Sequence, residues 1–218
     1  MLFRSANFNA TAVACGLEMA RVLGGLMDSG TFPKPLRGIR FVFTPKKYGS
    51  LAFARQQNEI LQKTIYTLYL ESSAGNPDKA WSRWGLHRTP ICQRHYSDGL
   101  AWFILREYTK NWRPQRKLEQ RAFSLVGDVY YNDPKIGVPT HWLYGGTDEE
   151  CRYSDMDTLP TIDRRSLIDL VAASSTLLYT MAAMGLENIP QIAYWNYQLS
   201  LERIQEDIRI FKIGRAHV

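Results

Sequence analysis

The chain predicts an α/β layer fold, with helices covering both faces of a central sheet. Two observations carry this. Amphipathic stretches with helical spacing alternate along the chain with short apolar runs rich in β-formers, the pattern of helices layered on a sheet. One of those runs, Gly38 to Thr44, is mostly apolar instead of alternating, as in a strand buried on both sides. With 45% hydrophobic and 22% charged residues, the composition is that of a globular chain, and 218 residues suit one domain.

The elements follow in order. Asn9 or Thr11 suits the N-cap of a first helix, about Ala10 to Met27, with Val13, Leu17, Ala20 and Met27 near helical spacing. Asp28-Ser29-Gly30 stops it, and Pro33 and Pro35 keep the connection open. The Gly38–Thr44 strand comes next, then a helix from Ser50 to Lys63 and a strand from Ile65 to Leu70. Ser72 to Ser97 is the least regular part, with Gly75, Pro77, Gly85 and Pro90, and carries Trp81, Trp84 and His87. A loop of that length is usually functional or an insertion. Asp98 suits the cap of a helix from Gly99 to Trp112, which Pro114 ends. Gly137 to Tyr144 reads as a late strand. Asp163 caps a long helix to about Met184, closed by Gly185, and a last helix runs from about Gln191 to Phe211.

Several function classes carry no support. No run of ~18 apolar residues occurs, so no membrane span is expected. Cys15, Cys92 and Cys151 are odd in number and far apart, which fits free thiols in a reducing compartment, with a cytoplasmic location as the expectation. The formal net charge is +6. Its densest patch is Arg106, Lys110, Arg113, Arg116, Lys117 and Arg121, with Tyr108 and Trp112 interleaved. Positive charge alone reads as a solvated surface, and nucleic acid is not an expected partner. Cys92-x-x-His95 offers two potential ligands with no second pair nearby.

Four segments carry a more specific signal: Ser5-Ala6-Asn7-Phe8-Asn9-Ala10-Thr11-Ala12, Ile39 to Gly49 with Lys46-Lys47-Tyr48-Gly49 at its end, Tyr131 to Pro139, and Tyr153-Ser154-Asp155-Met156-Asp157-Thr158. In order and spacing they resemble the co-catalytic zinc aminopeptidase family, which includes bacterial leucyl aminopeptidases, glutamate carboxypeptidase and the transferrin receptor ectodomain. The resemblance runs from Ser5 to about Gly185, with a poorly matched middle from Ser72 to Arg121. It implies a three-layer α/β sandwich with a mixed, mostly parallel sheet. It also implies a single peptidase-like domain over residues 1–212 that lacks its N-terminal part, because the family places strands, a helix and a histidine ligand before the first segment. Residues 213–218 resemble a translated sequencing-library adapter and are set aside.

The resemblance also implies where a dinuclear zinc centre would lie. The family's bridging Asp falls at Phe8, between Asn7 and Asn9. Its general-base Glu falls at Lys46, its next Glu ligand at Lys47, its mid-chain Asp ligand nearest Glu71, and its last His ligand at Tyr153. Zinc takes nitrogen, sulfur or carboxylate oxygen, and paired zincs need a bridging carboxylate. Phe8 offers no lone pair, and a lysine ammonium only donates. At ~4 Å and an effective dielectric near 20, each ammonium repels a divalent cation by about 8 kcal/mol.

The expectation is therefore a peptidase-like domain with no metal cofactor, binding a peptide or protein without hydrolysing it. Lys46 or Lys47 would replace the cation and pair with Glu71 or Asp128, or both lysines would simply face water. The alternative is an active zinc aminopeptidase with shifted ligands such as Glu71, Asp128, Asp133, Asp155 or His141. A third possibility is a structural domain that contacts the missing N-terminal segment or a second copy, with Tyr194, Trp195 and Tyr197 as interface candidates. His141, in an apolar strand, reads more simply as a satisfied core or pocket residue, and Asp157-Thr158 as a loop-ordering pair.

Overall fold

The computed structural model describes residues 6–71, 74–76, 83–124, 130–146 and 154–216. Its sheet has four strands: β1 (Thr67–Glu71), β2 (Arg83–His87), β3 (Leu118–Arg121) and β4 (Thr140–Gly146). Their order is β1-β4-β2-β3. β1 runs parallel to β4 and β2 parallel to β3, whereas β2 and β4 are antiparallel. The six α-helices among the described residues are α1 (Thr11–Asp28), α2 (Lys46–Gln56), α3 (Asn58–Gln62), α4 (Ser97–Trp112), α5 (Arg164–Ala183) and α6 (Ile189–Ala216). Helices lie on both sides of the mixed sheet, as the alternation predicts.

Strand periodicity decides where the core sits. Trp84 and Leu86 of β2 and Leu143 of β4 face one way. They pack with Leu100 and Leu105 of α4 and Leu170, Leu177 and Met181 of α5. Trp142 and Tyr144 of β4 face the other way, against Tyr69 and Phe123. All five sheet residues of β2 and β4 named here are buried, so both faces are covered. That explains why β4 shows no alternation of polar and apolar residues. Gly85, between Trp84 and Leu86, faces the second side. There the Arg121 side chain lies across it, 2.9 Å from where a Cβ would stand.

α5 starts as its sequence predicts. Asp163 is the N-cap, and its carboxylate accepts from the backbone N–H groups of Arg165 and Ser166. α1 packs on α5 through Cys15, whose Sγ lies 4.0 Å from the Leu167 carbonyl oxygen. Burial pushes the Cys15 thiol up to about 12, with Glu18 adding to the shift, so it stays protonated. Ala6–Asp28 and Arg164–Ala183 are long and apolar enough to cross a membrane by length and composition, although neither holds ~18 consecutive apolar residues. Half of the α5 window is buried inside the fold, where it builds the core described above.

The structure corrects several expectations. Gly38 to Thr44 is not a strand: it joins no ladder, and Val42 and Phe43 are exposed. The run instead lies along α1, where Gly16 leaves room for the Phe43 ring, 2.9 Å from a hypothetical Cβ. The connection before it is held at the far end of α5. Arg37 N–H donates to the Ala182 carbonyl, Arg37 Nη1 to the Met184 carbonyl, and the Tyr179 hydroxyl to the Pro33 carbonyl. An apolar extended run fits a sheet or the surface of a helix equally well, and here those tethers choose the helix.

Lys46 and Lys47 consequently open α2 instead of ending a strand. Pro45, with no N–H to give a ladder, stands at its N-cap, and Gly49 N–H donates to the Pro45 carbonyl at 2.8 Å. A Cβ on Gly49 would meet Thr44 and Pro45 at 2.5 and 2.6 Å, so this turn needs glycine. The helix predicted over Ser50 to Lys63 breaks at Gln57, whose backbone angles of −120° and 36° are not helical. Neither Asn9 nor Thr11 caps α1. Ala10 is its N-cap, one π-helical turn (Ala6–Ala10) precedes it, and the Thr11 hydroxyl donates back to the Asn7 carbonyl at 2.6 Å. Asp98 does not cap α4 either; Tyr96 holds that position. β2 and β3 lie in segments that sequence reading left irregular.

Candidate functional site

The first and the fourth of the four segments meet near the C-terminal end of β1. Asp157 is the residue that joins them. It is buried, and its carboxylate accepts from two successive backbone N–H groups, Asn7 at 2.8 Å and Phe8 at 3.0 Å. Its carbonyl accepts from Ala6 N–H at 3.2 Å. The π-helical turn supplies these donors because its first N–H groups have no partner within the helix. Asn7 reaches on to the chain after β1: its Oδ1 accepts from Ala74 N–H at 3.3 Å. From the other side, Asp163 N–H donates to the Ala74 carbonyl, Asn76 N–H to the Thr161 carbonyl, and Ser166 Oγ to the Gly75 carbonyl. Three segments distant in sequence are thus tied by buried hydrogen bonds, with β1 ending between them.

Within this junction Phe8 is buried, with 7% of its surface exposed, and Asn9 is exposed. Glu71, the last residue of β1, is 2% exposed and sits opposite Tyr144 in the ladder. Lys47 is exposed and lays its ammonium over the Tyr48 ring, 5.4 Å from its centre, instead of over a described carboxylate. Asp128 and Tyr153 lie outside the described residues. The structure therefore brings Asn7, Phe8 and Asp157 together.

The other proposed ligands sit elsewhere. Asp133 and Asp155 are exposed. His141 is fully buried in β4, and both ring nitrogens are engaged. Nε2 lies 2.8 Å from Asp98 Oδ1, and Nδ1 lies 3.1 Å from the Tyr66 hydroxyl. An ionised carboxylate only accepts, so Nε2–H donates to it. Asp98 also accepts from the N–H and hydroxyl of Thr89, and the Arg203 guanidinium stands 3.8 Å away. Burial alone would raise the Asp98 carboxyl, but His141, Thr89 and Arg203 outweigh it and hold it below its ordinary value. Burial raises the Tyr66 hydroxyl well above its ordinary value, and Asp98 adds to that. This Asp–His–Tyr group is buried, and it joins α4, β4 and α6. Sequence reading placed His141 in the core but missed its carboxylate. The signal was Asp98, a charged residue followed at once by the apolar face of a helix.

Four of the six residues of the basic patch pair with carboxylates, and Lys110 and Lys117 are exposed. Asp169 is fully buried in α5 and takes Arg113 Nε at 2.8 Å and the Tyr108 hydroxyl at 2.9 Å. Arg116 stands 3.6 Å from the same carboxylate, donates to Ser166 Oγ, and lies over the Trp84 ring. Arg106 pairs with Glu202, and Arg121 with Glu119.

Among the described residues, no three His, Cys, Asp or Glu side chains are placed to hold one metal ion. Of the described junction residues, Phe8 has no lone pair to offer a metal ion.

Solved structures share this architecture. A Clostridium acetobutylicum protein named as a peptidase superposes with a TM-score of 0.67 at 16% identity, over 82% of this chain and 38% of its own. The fold is aminopeptidase-like. The aminopeptidase of Aneurinibacillus sp. strain AM-1 gives 0.63 at 18% identity, over 82% of this chain and 40% of its own. The zinc aminopeptidase of Bacillus subtilis gives 0.57 at 19%, over 80% and 42%. The chain thus spans about two fifths of the length of these proteins. No protein-family model matches it, and no curated protein matches it.

Proposed function

We propose that this chain is an aminopeptidase-like domain without a dinuclear metal centre, one that binds a peptide or protein and does not hydrolyse it. The observation that carries the reading is Phe8. It is buried in a loop still held by Asp157 through two backbone N–H groups, at the position where the resemblance calls for a bridging carboxylate. The scaffold of the loop is kept while the group that would neutralise two cations is replaced by an aromatic ring. Phe8 fills space in the junction, and Glu71, also buried, ends β1.

An active enzyme with shifted ligands is the second reading. His141 argues against it, because both of its nitrogens are spent inside the core. Two measurements separate the readings. Elemental analysis after refolding with zinc should give well under one zinc per chain. A screen of aminoacyl chromogenic substrates, with zinc or cobalt added, should show no turnover from folded protein. Near-stoichiometric, chelator-sensitive zinc together with chelator-sensitive turnover would establish the enzyme instead.

A further inference from the structure

α6 is apolar on two opposite sides, and one of them packs on the described core. Ile192, Trp195 and Leu199 face the core, where Trp195 stacks on Phe103 of α4 with ring centres 4.4 Å apart. Glu202 and Arg203 extend the same side through Arg106 and Asp98. Beyond Leu199, no described residue of α6 is buried.

The other side carries Tyr194, Tyr197, Leu201, Ile204, Ile208 and Phe211. Leu201 is half-buried, and the other five are between 49% and 60% exposed. Ile208 is nine residues from Leu199, which at 100° per residue places it about 180° around the helix. The six recur at alternating intervals of three and four, the a/d seam of a coiled coil sustained over two and a half heptads. A seam of this kind needs another helix with the same spacing.

We propose that the seam docks on the same seam of a second copy, with the two α6 helices antiparallel. One register pairs every layer: Tyr194 with the second copy's Phe211, Tyr197 with its Ile208, Leu201 with its Ile204, and the reciprocal three by symmetry. Such an interface is isologous and closes at two copies. The flanks agree with it. Gln198 faces the second copy's Gln205 and Ser200 its Asp207, so no like charges meet along the seam. The five exposed side chains have on the order of 100 Å² each to lose and Leu201 less, so two copies bury roughly 1,000 Å² and a little more, at the threshold of specific interfaces. A membrane surface fits less well. Over residues 189–212 three acids, Glu202, Glu206 and Asp207, balance three bases, Arg203, Arg209 and Lys212, whereas surface-lying helices have a basic polar face.

Sedimentation equilibrium and light scattering on the full chain test this. The expected mass is twice 25.1 kDa. Ile204→Lys with Ile208→Lys should give a monomer with unchanged far-UV circular dichroism. Ile210→Lys, exposed but off the seam, should remain a dimer. Should the double variant unfold, orientation supplies the second readout. Mixing Leu201→Cys with Ile204→Cys protein should give a disulfide between the two variants, identified by peptide mapping. A wild-type monomer at every soluble concentration overturns the proposal, as does a double variant that folds and stays dimeric. So does a disulfide only between two Ile204→Cys chains, which would mean parallel helices. Monomeric protein that sediments with phosphatidylserine-containing vesicles would assign the seam to lipid.

Discussion

The carboxylate of Asp157 receives the backbone N–H of Phe8 at 3.0 Å, across 149 residues of chain. With the second bond from Asn7, it fixes the turn before α1 to the loop before α5. Asp157→Ala removes a charged acceptor from two buried donors. Hydrogen bonds to charged groups contribute about 1.5–3 kcal/mol each, so a loss of about 3 kcal/mol or more is expected in urea denaturation. Asp157→Asn keeps one accepting oxygen and should lose less.

Asp169→Asn should be among the most damaging single changes. It leaves Arg113 and Arg116 facing a neutral amide at the edge of the core, where the Arg116 side chain is 6% exposed. Breaking a buried pair by removing one partner costs about 3–5 kcal/mol. Thermal and urea denaturation should both report it, with far-UV circular dichroism of the native state little changed.

Stability should fall in acid in two stages. Burial pushes the His95 imidazole down to about 4 from 6.5, with His141 adding to the shift and Asp98 opposing it. The unfolded chain therefore takes this proton first, and stability is lost as pH falls from 6.5 towards about 4. Asp98 follows. Its carboxyl is held below 3.8, so its contribution is complete above that pH and is lost as pH falls through the lower folded value. His95→Gln should flatten the first stage and leave the second, in denaturant midpoints measured across the range.

Gly137 has a φ of +72°, in the turn that leads from Asn132 into β4. Its N–H donates to the Asp133 carbonyl at 2.8 Å. Left-handed backbone costs a residue with a Cβ about 1–2 kcal/mol, so Gly137→Ala should lower the unfolding free energy by that amount. No crowding adds to it, since the nearest atom to a Cβ there is 3.8 Å away.

Long periodic segments were legible, and short apolar ones were ambiguous. α5 begins at the predicted Asp163 because a cap followed by Leu167, Leu170 and Leu177 has one physical meaning. β1 and β4 were placed within a few residues. Gly38 to Thr44 failed because hydrophobicity does not say which partner covers a run. β2 was hidden by Gly85, a residue read as a loop former that in fact makes room for Arg121. At the site, the sequence read Asn7 and Phe8 as part of a loop and Asp157-Thr158 as a loop-ordering pair. That Asp157 holds Asn7 and Phe8 is long-range information that neither reading contained.

The strand order has a consequence for synthesis. β1 borders only β4 in the described sheet, and Thr67 pairs with Thr140. During synthesis β1 therefore stays without its described neighbour until residue 140 has been made. Pairings so distant in sequence make folding slow, and they expose a sticky edge during the delay. A nascent chain stalled shortly before residue 140 should therefore be the form most dependent on chaperones.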